Sequence, residues 1–290
     1  MPVTAIVTAY QRIEQTLATL AKLRRCIPPP DEILVHVDGG EEACAAAVRA
    51  ACPEALVIVS RDNIGPGGGR NKLIAAASHE IVASFDDDSY PLDEDYFARL
   101  CAVFRARPDA AVVASQIAHR GATVAQARAA VGAAVNFVGC GVAYRRDAFL
   151  ATGGYVALPI AYGMEEVDLC IRLADRGAPM YYSTWLRVYH DNDLAHHAGA
   201  RITAGSIENL ALLVFLRYPF RYWPYGGLQV ARRISWLVKV GRMRGIAAGI
   251  AGIPAHLWRH RKLRAAVRPA TLAAYLRARR RAAALEPIEV

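Results

Sequence analysis

The sequence predicts an α/β fold with a mainly parallel central sheet, followed by a helical and basic C-terminal extension. In the first half, short β-branched runs alternate with helical segments, the pattern of parallel strands joined by crossover helices. After His190 the pattern becomes helical, with many Arg and Lys residues from 217 to 281. The chain has 290 residues, 54% hydrophobic and 21% charged, which is a globular composition. This length fits one large domain, or one domain with a helical extension.

The elements can be predicted in order along the chain. We expect strands at residues 4–8, 32–37, 56–60 and 80–85, and helices at 14–24, 42–51 and 70–78. Residues 110–185 are less regular, with small-residue turns at 139–141 and 153–154. Beyond them lie an apolar stretch at 207–216, basic amphipathic stretches at 228–243 and 272–281, and an apolar stretch at 246–257. The tail from residue 286 to 290 is expected to fray.

Several bulk features limit the class of protein. No apolar run reaches the roughly 18–20 residues that cross a bilayer, and the N-terminus lacks a basic leader. We therefore expect a cytoplasmic protein, with at most a peripheral contact at the inner face of the cell membrane. The six cysteines are scattered without a Cys-x-x-Cys pair, which favours packing thiols over a zinc site or disulfides. The net charge of +9 is concentrated in the C-terminal region, which suggests nucleic acid or an anionic membrane as a partner.

Three carboxylates, Asp86, Asp87 and Asp88, directly follow the predicted fourth strand. In open parallel sheets, ligands bind beyond the carboxyl ends of the strands. Adjacent carboxylates repel each other unless a cation lies between them, and oxygen ligands suit Mg²⁺ or Mn²⁺. A solvated acidic turn is the alternative explanation.

A glycine-rich segment, residues 63–71, follows the predicted third strand. Glycines allow close approach of the backbone to a ligand, and Arg70 could pair with a phosphate. The segment is not a Walker loop, and no Gly-x-Gly-x-x-Gly follows the first strand, so a dinucleotide-binding fold is disfavoured. A flexible loop without a ligand is the alternative.

A third group of acids begins a predicted helix near residue 165. Glu165, Glu166 and Asp168 would lie in its first turn, where the helix dipole favours negative charge. Capping alone could explain them, but a carboxylate at the mouth of a cleft also suits a general base. His190 closes the α/β region, although a lone histidine is more often a hydrogen-bonded core residue. His196 and His197 are expected to be surface groups.

Taken together, these residues resemble family 2 glycosyltransferases, which are inverting enzymes of the GT-A fold, and among them bacterial polysaccharide synthesis enzymes and rhamnosyltransferases. The resemblance covers residues 3–190. It rests on five motifs in the expected order: Ile6-Val7-Thr8-Ala9-Tyr10-Gln11-Arg12; Val37-Asp38-Gly39-Gly40; Asn63-x-Gly65 with Arg70-Asn71; Asp86-Asp87-Asp88; and Glu165-Glu166-x-Asp168-Leu169 with Arg172. Any one motif is weak, but five in order are specific.

The resemblance implies a role for each matching residue. Thr8 and Tyr10 would border the nucleotide base, Asp38 would contact its edge, and Arg70 would lie near the diphosphate. Arg12 and Asn63 belong to the same nucleotide-sugar site. Asp86 and Asp87 would face the ribose and donor sugar, while Asp88, with His190 and Asp86, would bind Mn²⁺ or Mg²⁺. Glu166 would be the catalytic base, with Glu165 and Asp168 as alternatives. The sequence departs from the family pattern in two places. Glu166 stands where the family usually has Asp, and Gly39-Gly40 lack the side chains that help to hold the nucleotide base.

The resemblance also implies a domain plan and partners. Residues 1–200 would form the catalytic domain, with the donor site in 1–110 and the acceptor part in 111–200. Residues 201–290 would form a helical region. Its own basic amphipathic pattern, apart from the resemblance, predicts contact with an anionic membrane surface through Trp223, Tyr225, Trp236 and Trp258, with Arg232, Arg233 and Lys239. The alternative is a helical subdomain that packs on the catalytic core with its arginines in solvent. The donor would be a UDP- or dTDP-linked sugar, and the acceptor a glycan or a lipid-linked glycan of the cell envelope. Nucleic acid is not expected as a partner. The alternatives are an inactive partner subunit, a nucleotidyltransferase and a nucleic-acid-binding protein.

Overall fold

The computed structural model describes residues 1–192, 199–280 and 284–288, so His196 and His197 lie outside the described residues. The chain forms two compact units. Of the described residues, the first unit contains 1–159, 177–192 and 284–288, and the second contains 160–176 and 199–280. The assignment of donor, acceptor and membrane functions to 1–110, 111–200 and 201–290 stays a prediction.

The first unit is built on a sheet of ten described strands. They are β1 (Val3–Ala9), β2 (Glu32–Val37), β3 (Leu56–Val59), β4 (Ile81–Asp86), β5 (Ser89–Pro91), β6 (Val112–His119), β7 (Ala130–Ala133), β8 (Val142–Arg145), β9 (Met180–His190) and β10 (Leu285–Pro287). Their order is β10-β7-β9-β6-β8-β4-β1-β2-β3, with β5 paired to β9. The strands β4, β1, β2 and β3 are mutually parallel, as predicted, and β8 continues the sheet antiparallel to β4. All seven residues of β1 are buried, as expected for a central strand.

Five of the described helices belong to this unit. They are α1 (Ile13–Arg24), α2 (Glu42–Ala51), α3 (Gly65–Ala76), α4 (Tyr96–Ala106) and α5 (Arg146–Ala151), and a short 3-10 turn covers Gly139–Gly141. The strands and helices predicted before residue 62 are confirmed to within two residues. Alternating runs of buried β-branched residues, such as those of β1 and β2, define such elements from sequence alone.

The glycine-rich segment differs from its prediction, because it is helical from Gly65 rather than from residue 70. Pro66 lies in the first turn, where its missing N–H costs no hydrogen bond. A Cβ on Gly69 would lie 2.5 Å from Nδ1 of His36, and one on Gly65 would lie 1.9 Å from the carbonyl oxygen of Leu158. The glycines therefore let α3 pack closely against the sheet and a neighbouring loop.

The end of the described chain also differs from its prediction, because residues 285–287 do not fray. They form β10, which pairs antiparallel with β7. The N–H of Ile288 donates to the carbonyl of Ala129 at 2.8 Å, and Ile288 is buried. The segment is thus an edge strand of the first unit.

The described helices of the second unit are α6 (Glu165–Asp175), α7 (Ala200–Arg217), α8 (Trp223–Lys239), α9 (Ile246–His260) and α10 (Pro269–Ala278). Close packing of α9 on α7 depends on glycine: a Cβ on Gly249 would lie 2.8 Å from the carbonyl oxygen of Ala204. Among the described residues, no helix has both the length and the apolar character needed to cross a membrane.

Candidate active site

The carboxyl ends of three parallel strands bring the first predicted residues together. Because β1 lies between β2 and β4, Thr8 pairs in register with Asp86, and the N–H of Asp38 donates to Ala9 at 3.0 Å. The Thr8 hydroxyl donates to Oδ1 of Asp86 at 3.2 Å, and the N–H of Asp87 donates to the Thr8 carbonyl at 3.1 Å. The structure therefore places the acids of the fourth strand beside the first motif, as expected at the ligand edge of such a sheet.

Arg12 holds two of these acids. Its Nη1 lies 3.3 Å from Oδ1 of Asp87 and also donates to Oδ2 of Asp88, while the Tyr10 N–H donates to Oδ2 of Asp87 at 3.2 Å. Burial raises the pKa of Asp87 to about 7, although the charge of Arg12 opposes this shift. The pKa of Asp88 is lowered: burial acts against ionisation, but the hydrogen bond from His190 and the charge of Arg12 outweigh it. Arg12 is 32% exposed in its side chain.

Arg70 lies within the fold rather than on its surface. Arg70 is 2% exposed, its Nε donates to the Ser84 hydroxyl at 3.0 Å, and its Nη2 donates to Asp86. A Cβ on Gly139 would lie 2.9 Å from the guanidinium carbon, and the Tyr155 ring centroid is 6.0 Å away. The guanidinium therefore fixes Asp86. Contact with a diphosphate stays a prediction, and it would require Arg70 to leave these partners.

Asp38 and Asn63 bind the start of α3. Oδ1 of Asp38 accepts the Ile64 N–H at 3.0 Å, and Oδ2 accepts the Gly65 N–H at 2.9 Å. Oδ1 of Asn63 accepts the Gly65 N–H at 3.1 Å. Asp38 is 4% exposed, so both its oxygens serve to anchor the helix. Its contact with a nucleotide base stays a prediction.

Tyr10 is the exposed aromatic at this edge, with 42% of its surface accessible. A Cβ on Gly39 would lie 3.1 Å from Cε2 of Tyr10, so the tyrosine ring lies against the backbone of Gly39, where there is no side chain. The next residue, Gln11, has a φ of 58°, and its N–H donates to Glu41 at 2.8 Å. This turn presents an aromatic face to solvent, which suits a planar base.

Asp86, Cys140 and His190 could hold a metal ion. Each offers one ligand atom, and among the described residues these three atoms lie within 4.8 Å of one another. A carboxylate, a thiol and an imidazole fit a divalent transition-metal cation. Two of the three were predicted from the sequence. Cys140 was not, because we expected a packing thiol, although the Gly139-Cys140-Gly141 turn was visible.

Asp88, also predicted as a ligand, lies beside His190. Its Oδ1 lies 3.2 Å from Nε2 of His190, and Sγ of Cys140 lies 3.5 Å from Nδ1 of the same ring. Burial lowers the pKa of His190, but the hydrogen bond to Asp88 and the charges of Asp86 and Asp88 raise it above its usual value. His190 is thus flanked by a carboxylate on one side and a thiol on the other.

The three predicted base candidates lie in the first turn of α6, in the second unit. Asp168 is completely buried; its Oδ2 accepts from Nε of Arg172 at 2.8 Å and its Oδ1 accepts from Nε of Arg217 at 2.5 Å. Glu165 is 3% exposed, whereas Glu166 is partly exposed. Asp168 therefore has a structural ion pair to maintain, and Glu166 is the most accessible of the three.

Comparison with known families adds a direct test of the resemblance. Residues 4–154, just over half of the chain, match the model of "Glycosyl transferase family 2". The chain belongs to this family. The predicted glycosyltransferase and its α/β GT-A fold are thus confirmed. No curated protein matched the chain.

Solved structures of other glycosyltransferases share the fold at low sequence identity. A mannosyltransferase, PcManGT from Pyrobaculum calidifontis in complex with GDP-Man and Mn²⁺, is 19% identical with a TM-score of 0.58, over 95% of this glycosyltransferase and 85% of that chain. GalNAc-T7 with UDP, GalNAc and Mn²⁺ is 12% identical with a TM-score of 0.59, over 76% of this chain and 48% of that chain. S. aureus TarS 1–349 in complex with UDP-GlcNAc is 15% identical with a TM-score of 0.56, over 74% of this chain and 66% of that chain. This glycosyltransferase therefore spans about half the length of GalNAc-T7.

Proposed function

We propose that this glycosyltransferase moves a sugar from a nucleotide diphosphate sugar to an acceptor hydroxyl, inverting the anomeric carbon. The observation that carries the proposal is the meeting of Thr8, Arg12 and Asp86–Asp88 at the ligand edge of the parallel strands. The ligands bound in the similar structures, UDP, GDP-Man and UDP-GlcNAc, support this class of donor. We favour a UDP- or dTDP-linked donor and an acceptor in cell-surface polysaccharide or lipid-linked glycan synthesis.

For the donor, exposure separates the two arginines that could meet a diphosphate. The Arg12 side chain is 32% exposed and reaches the acids from the surface, whereas that of Arg70 is 3% exposed. We therefore assign the diphosphate contact to Arg12 and the positioning of Asp86 to Arg70. Tyr10 offers its exposed ring to the base.

Asp88, His190 and Asp86 are proposed, from the resemblance, to hold a divalent cation, Mn²⁺ or Mg²⁺. Cys140 also offers a ligand atom within 4.8 Å of those of Asp86 and His190. Two of the similar structures carry Mn²⁺. When bound, such a cation supplies positive charge that stabilises the negative charge of the leaving diphosphate.

Glu166 is proposed as the catalytic base. Its carboxylate would take the proton of the acceptor hydroxyl while the hydroxyl oxygen bonds to the anomeric carbon and the bond to the diphosphate breaks. Such proton transfer contributes about 10²–10⁴ in rate. Asp168 is a poor base because two guanidinium groups hold its oxygens in the interior.

The variant Glu166→Gln tests the base. We expect kcat to fall about 10²–10⁴-fold while the affinity for the nucleotide stays unchanged, because the amide keeps the size of the side chain but accepts no proton. Glu165→Gln is the matched control, as it changes the neighbouring and more buried carboxylate. If Glu165→Gln loses turnover and Glu166→Gln keeps it, the base is Glu165.

The donor site is tested by thermal unfolding with UDP, dTDP or GDP, each with Mn²⁺, Mg²⁺ or EDTA. A ligand that binds only the folded state raises the apparent stability by mass action. We expect metal-dependent stabilisation by UDP or dTDP that Asp86→Asn abolishes. Absence of any nucleotide response in the wild-type chain would refute the transferase and favour the inactive-subunit alternative.

The acceptor is proposed to lie at an anionic membrane surface, because the second unit exposes large apolar side chains among arginines. Phe220, Met243 and Trp258 are 71%, 66% and 68% exposed. The Arg261 guanidinium lies 3.8 Å from the Trp258 ring centroid, and that of Arg264 lies 4.8 Å from the Phe220 ring. Aromatic and basic residues in such a mixture bind the headgroup region of anionic bilayers.

Flotation with vesicles tests this contact. We expect binding to vesicles containing phosphatidylglycerol, weaker binding at high salt, and none to pure phosphatidylcholine. Trp258→Ser with Met243→Ser should reduce binding, while Leu56→Ser, which removes a half-exposed apolar side chain on β3, should not. Binding to duplex DNA without binding to vesicles would instead support the nucleic-acid alternative.

A further inference from the structure

Arg264 of the second unit lies among three aromatic rings. Its guanidinium carbon is 4.8 Å from the ring centroid of Phe220 and 5.3 Å from that of Trp223. The ring centroid of Phe215 is 5.2 Å away. Cations are attracted to the faces of aromatic rings within about 6 Å. The three rings therefore hold the guanidinium in place and exclude water from part of it.

The charge of Arg264 has no counterion in its surroundings. Its Nη1 is shielded from solvent and has no hydrogen-bond partner among the described residues, although the residue as a whole is partly exposed. In the sequence, no Asp or Glu occurs between Glu208 and Glu286. Burial lowers the pKa of Arg264, whereas the hydrogen bond to Asp93 raises the pKa of Arg187 in the first unit. A desolvated donor without an acceptor is unfavourable, and binding of an anion relieves this cost.

The backbone on both sides of Arg264 is fixed by the end of α7. Nη1 of the buried Arg217 donates to the carbonyl of Leu263 at 3.0 Å and to that of Ala265 at 3.4 Å. The N–H of Ala265 donates to the carbonyl of Leu216 at 3.1 Å. A side chain whose backbone and faces are already held loses little conformational entropy when a ligand binds. Arg264 is therefore preorganised for binding.

The exposed edge of the guanidinium suits an oxyanion. Its planar N–H groups match the spacing of phosphate and carboxylate oxygens. A phosphate monoester offers three acceptor oxygens and a charge of about −1.5 to −2 at pH 7, more than a carboxylate, in a segment that contains no acids. Phe220 is 71% exposed, and exposed side chains change rotamer within nanoseconds, so rotation of this ring opens Nη1 to a ligand.

We propose that Arg264, with Phe215, Phe220 and Trp223, forms a binding site for a phosphate monoester. These residues belong to the second unit, whereas those proposed for the sugar donor belong to the first. The headgroup of an anionic lipid is one source of this group, and a soluble phosphate ester is the other. The inference rests on the proposed membrane contact only for the first source, because phosphate binding can be measured without a membrane.

Calorimetric titration and thermal unfolding of the full chain with inorganic phosphate test the site, with chloride at equal ionic strength as the reference. A ligand that binds only the folded state raises the apparent stability by mass action. We expect Arg264→Gln to weaken phosphate binding about 10–100-fold, as expected for loss of a charge-assisted hydrogen bond. Arg232→Gln is the matched control, since it removes the same charge from an exposed position on α8 and should leave phosphate affinity unchanged.

Two results of this titration would overturn the inference. One is equal phosphate affinity in the wild-type chain and Arg264→Gln, or no phosphate response in the wild-type chain. The other is phosphate binding that Arg12→Gln abolishes and Arg264→Gln leaves intact, because the phosphate would then lie at the acids of the first unit.

Tryptophan fluorescence gives a second measurement should Arg264→Gln fail to fold. The Trp223 ring borders the guanidinium, so phosphate binding should change its emission. In Trp223→Phe the change should disappear while calorimetric binding persists, because phenylalanine keeps an aromatic face beside Arg264. A fluorescence change that persists in Trp223→Phe would place the phosphate elsewhere and contradict the site.

Vesicle flotation separates the two sources of the phosphate. It compares phosphatidylcholine vesicles that contain either phosphatidic acid or oleate at matched surface charge. A lipid source predicts tighter binding to phosphatidic acid, and Arg264→Gln should lose this preference but keep the binding that depends on charge alone. Binding of inorganic phosphate without a preference for phosphatidic acid would support the site and assign it to a soluble ester.

These outcomes also separate the inference from the proposed transferase, because none of the probes is a sugar donor. A chain that binds phosphate through Arg264 but shows no response to any nucleotide would keep this site and lose the transferase. Metal-dependent nucleotide binding in a chain whose phosphate affinity ignores Arg264→Gln would keep the transferase and overturn this inference.

Discussion

Replacing Arg217 with Met should strongly destabilise the second unit. Asp168 is fully buried, and the Arg217 side chain is 5% exposed. Breaking a buried ion pair by removing one partner costs about 3–5 kcal/mol, because the remaining charge is left without compensation. Arg172 still holds Oδ2 of Asp168, so we expect about 3 kcal/mol, the lower end of that range.

Urea unfolding followed by circular dichroism measures this loss. Arg268→Met is the matched control: it breaks an ion pair to Asp175 in which the arginine side chain is 67% exposed. Exposed pairs contribute about 0–1 kcal/mol. In a double-mutant cycle, Asp168→Asn should make Arg217→Met less costly, since the buried negative charge is gone. Equal losses in the free energy of unfolding for Arg217→Met and Arg268→Met would refute this reasoning, and Asp168 would again be a candidate for the catalytic base.

Three further predictions concern stability. Burial lowers the pKa of His256 to about 4. The contribution of the neutral ring to the free energy of unfolding is therefore complete above the unfolded pKa of about 6.5, and it falls by up to about 3 kcal/mol as the pH drops toward 4. Unfolding of His256→Gln, measured across this pH range, should lose this slope. Gly69→Ala should cost about 1–3 kcal/mol because its Cβ would meet His36, whereas Gly227→Ala, with nothing within 4 Å, should be neutral or stabilising in thermal melts. Asp38→Ala should cost about 0.5–2 kcal/mol without any nucleotide, as a helix cap does, and an unchanged melting temperature would contradict the anchoring role.

The α/β part of the fold could be predicted because its signal is local. Up to residue 62, the strands are short runs rich in β-branched residues and the helices carry apolar residues at helical spacing, so the periodicity of the sequence predicts both. The early start of α3 could not be predicted from the sequence, because glycine has low helix propensity by itself. This segment is helical because Asp38, the residue after β2, binds its first turn.

The candidate site was only partly predictable for the same reason. The acids after β4 follow one another in sequence, and their position at a strand end could be predicted. Cys140 joins His190 across 50 residues, and Arg217 joins Asp168 across 49, so neither partnership has a local signature. The burial of Asp168 and Arg70 depends on such distant partners, and exposure determines which residues can meet a substrate.

The pairing of β10 with β7 has a consequence for truncated forms of this protein. The chain runs from the first unit into the second and back twice, so a cut after β9 removes not only helices but also this strand. It would leave the N–H and carbonyl groups along one side of β7 without partners. Unprotected strand edges pair with other molecules and promote aggregation. A soluble catalytic fragment should therefore retain residues 284–288 through a linker in place of the helices.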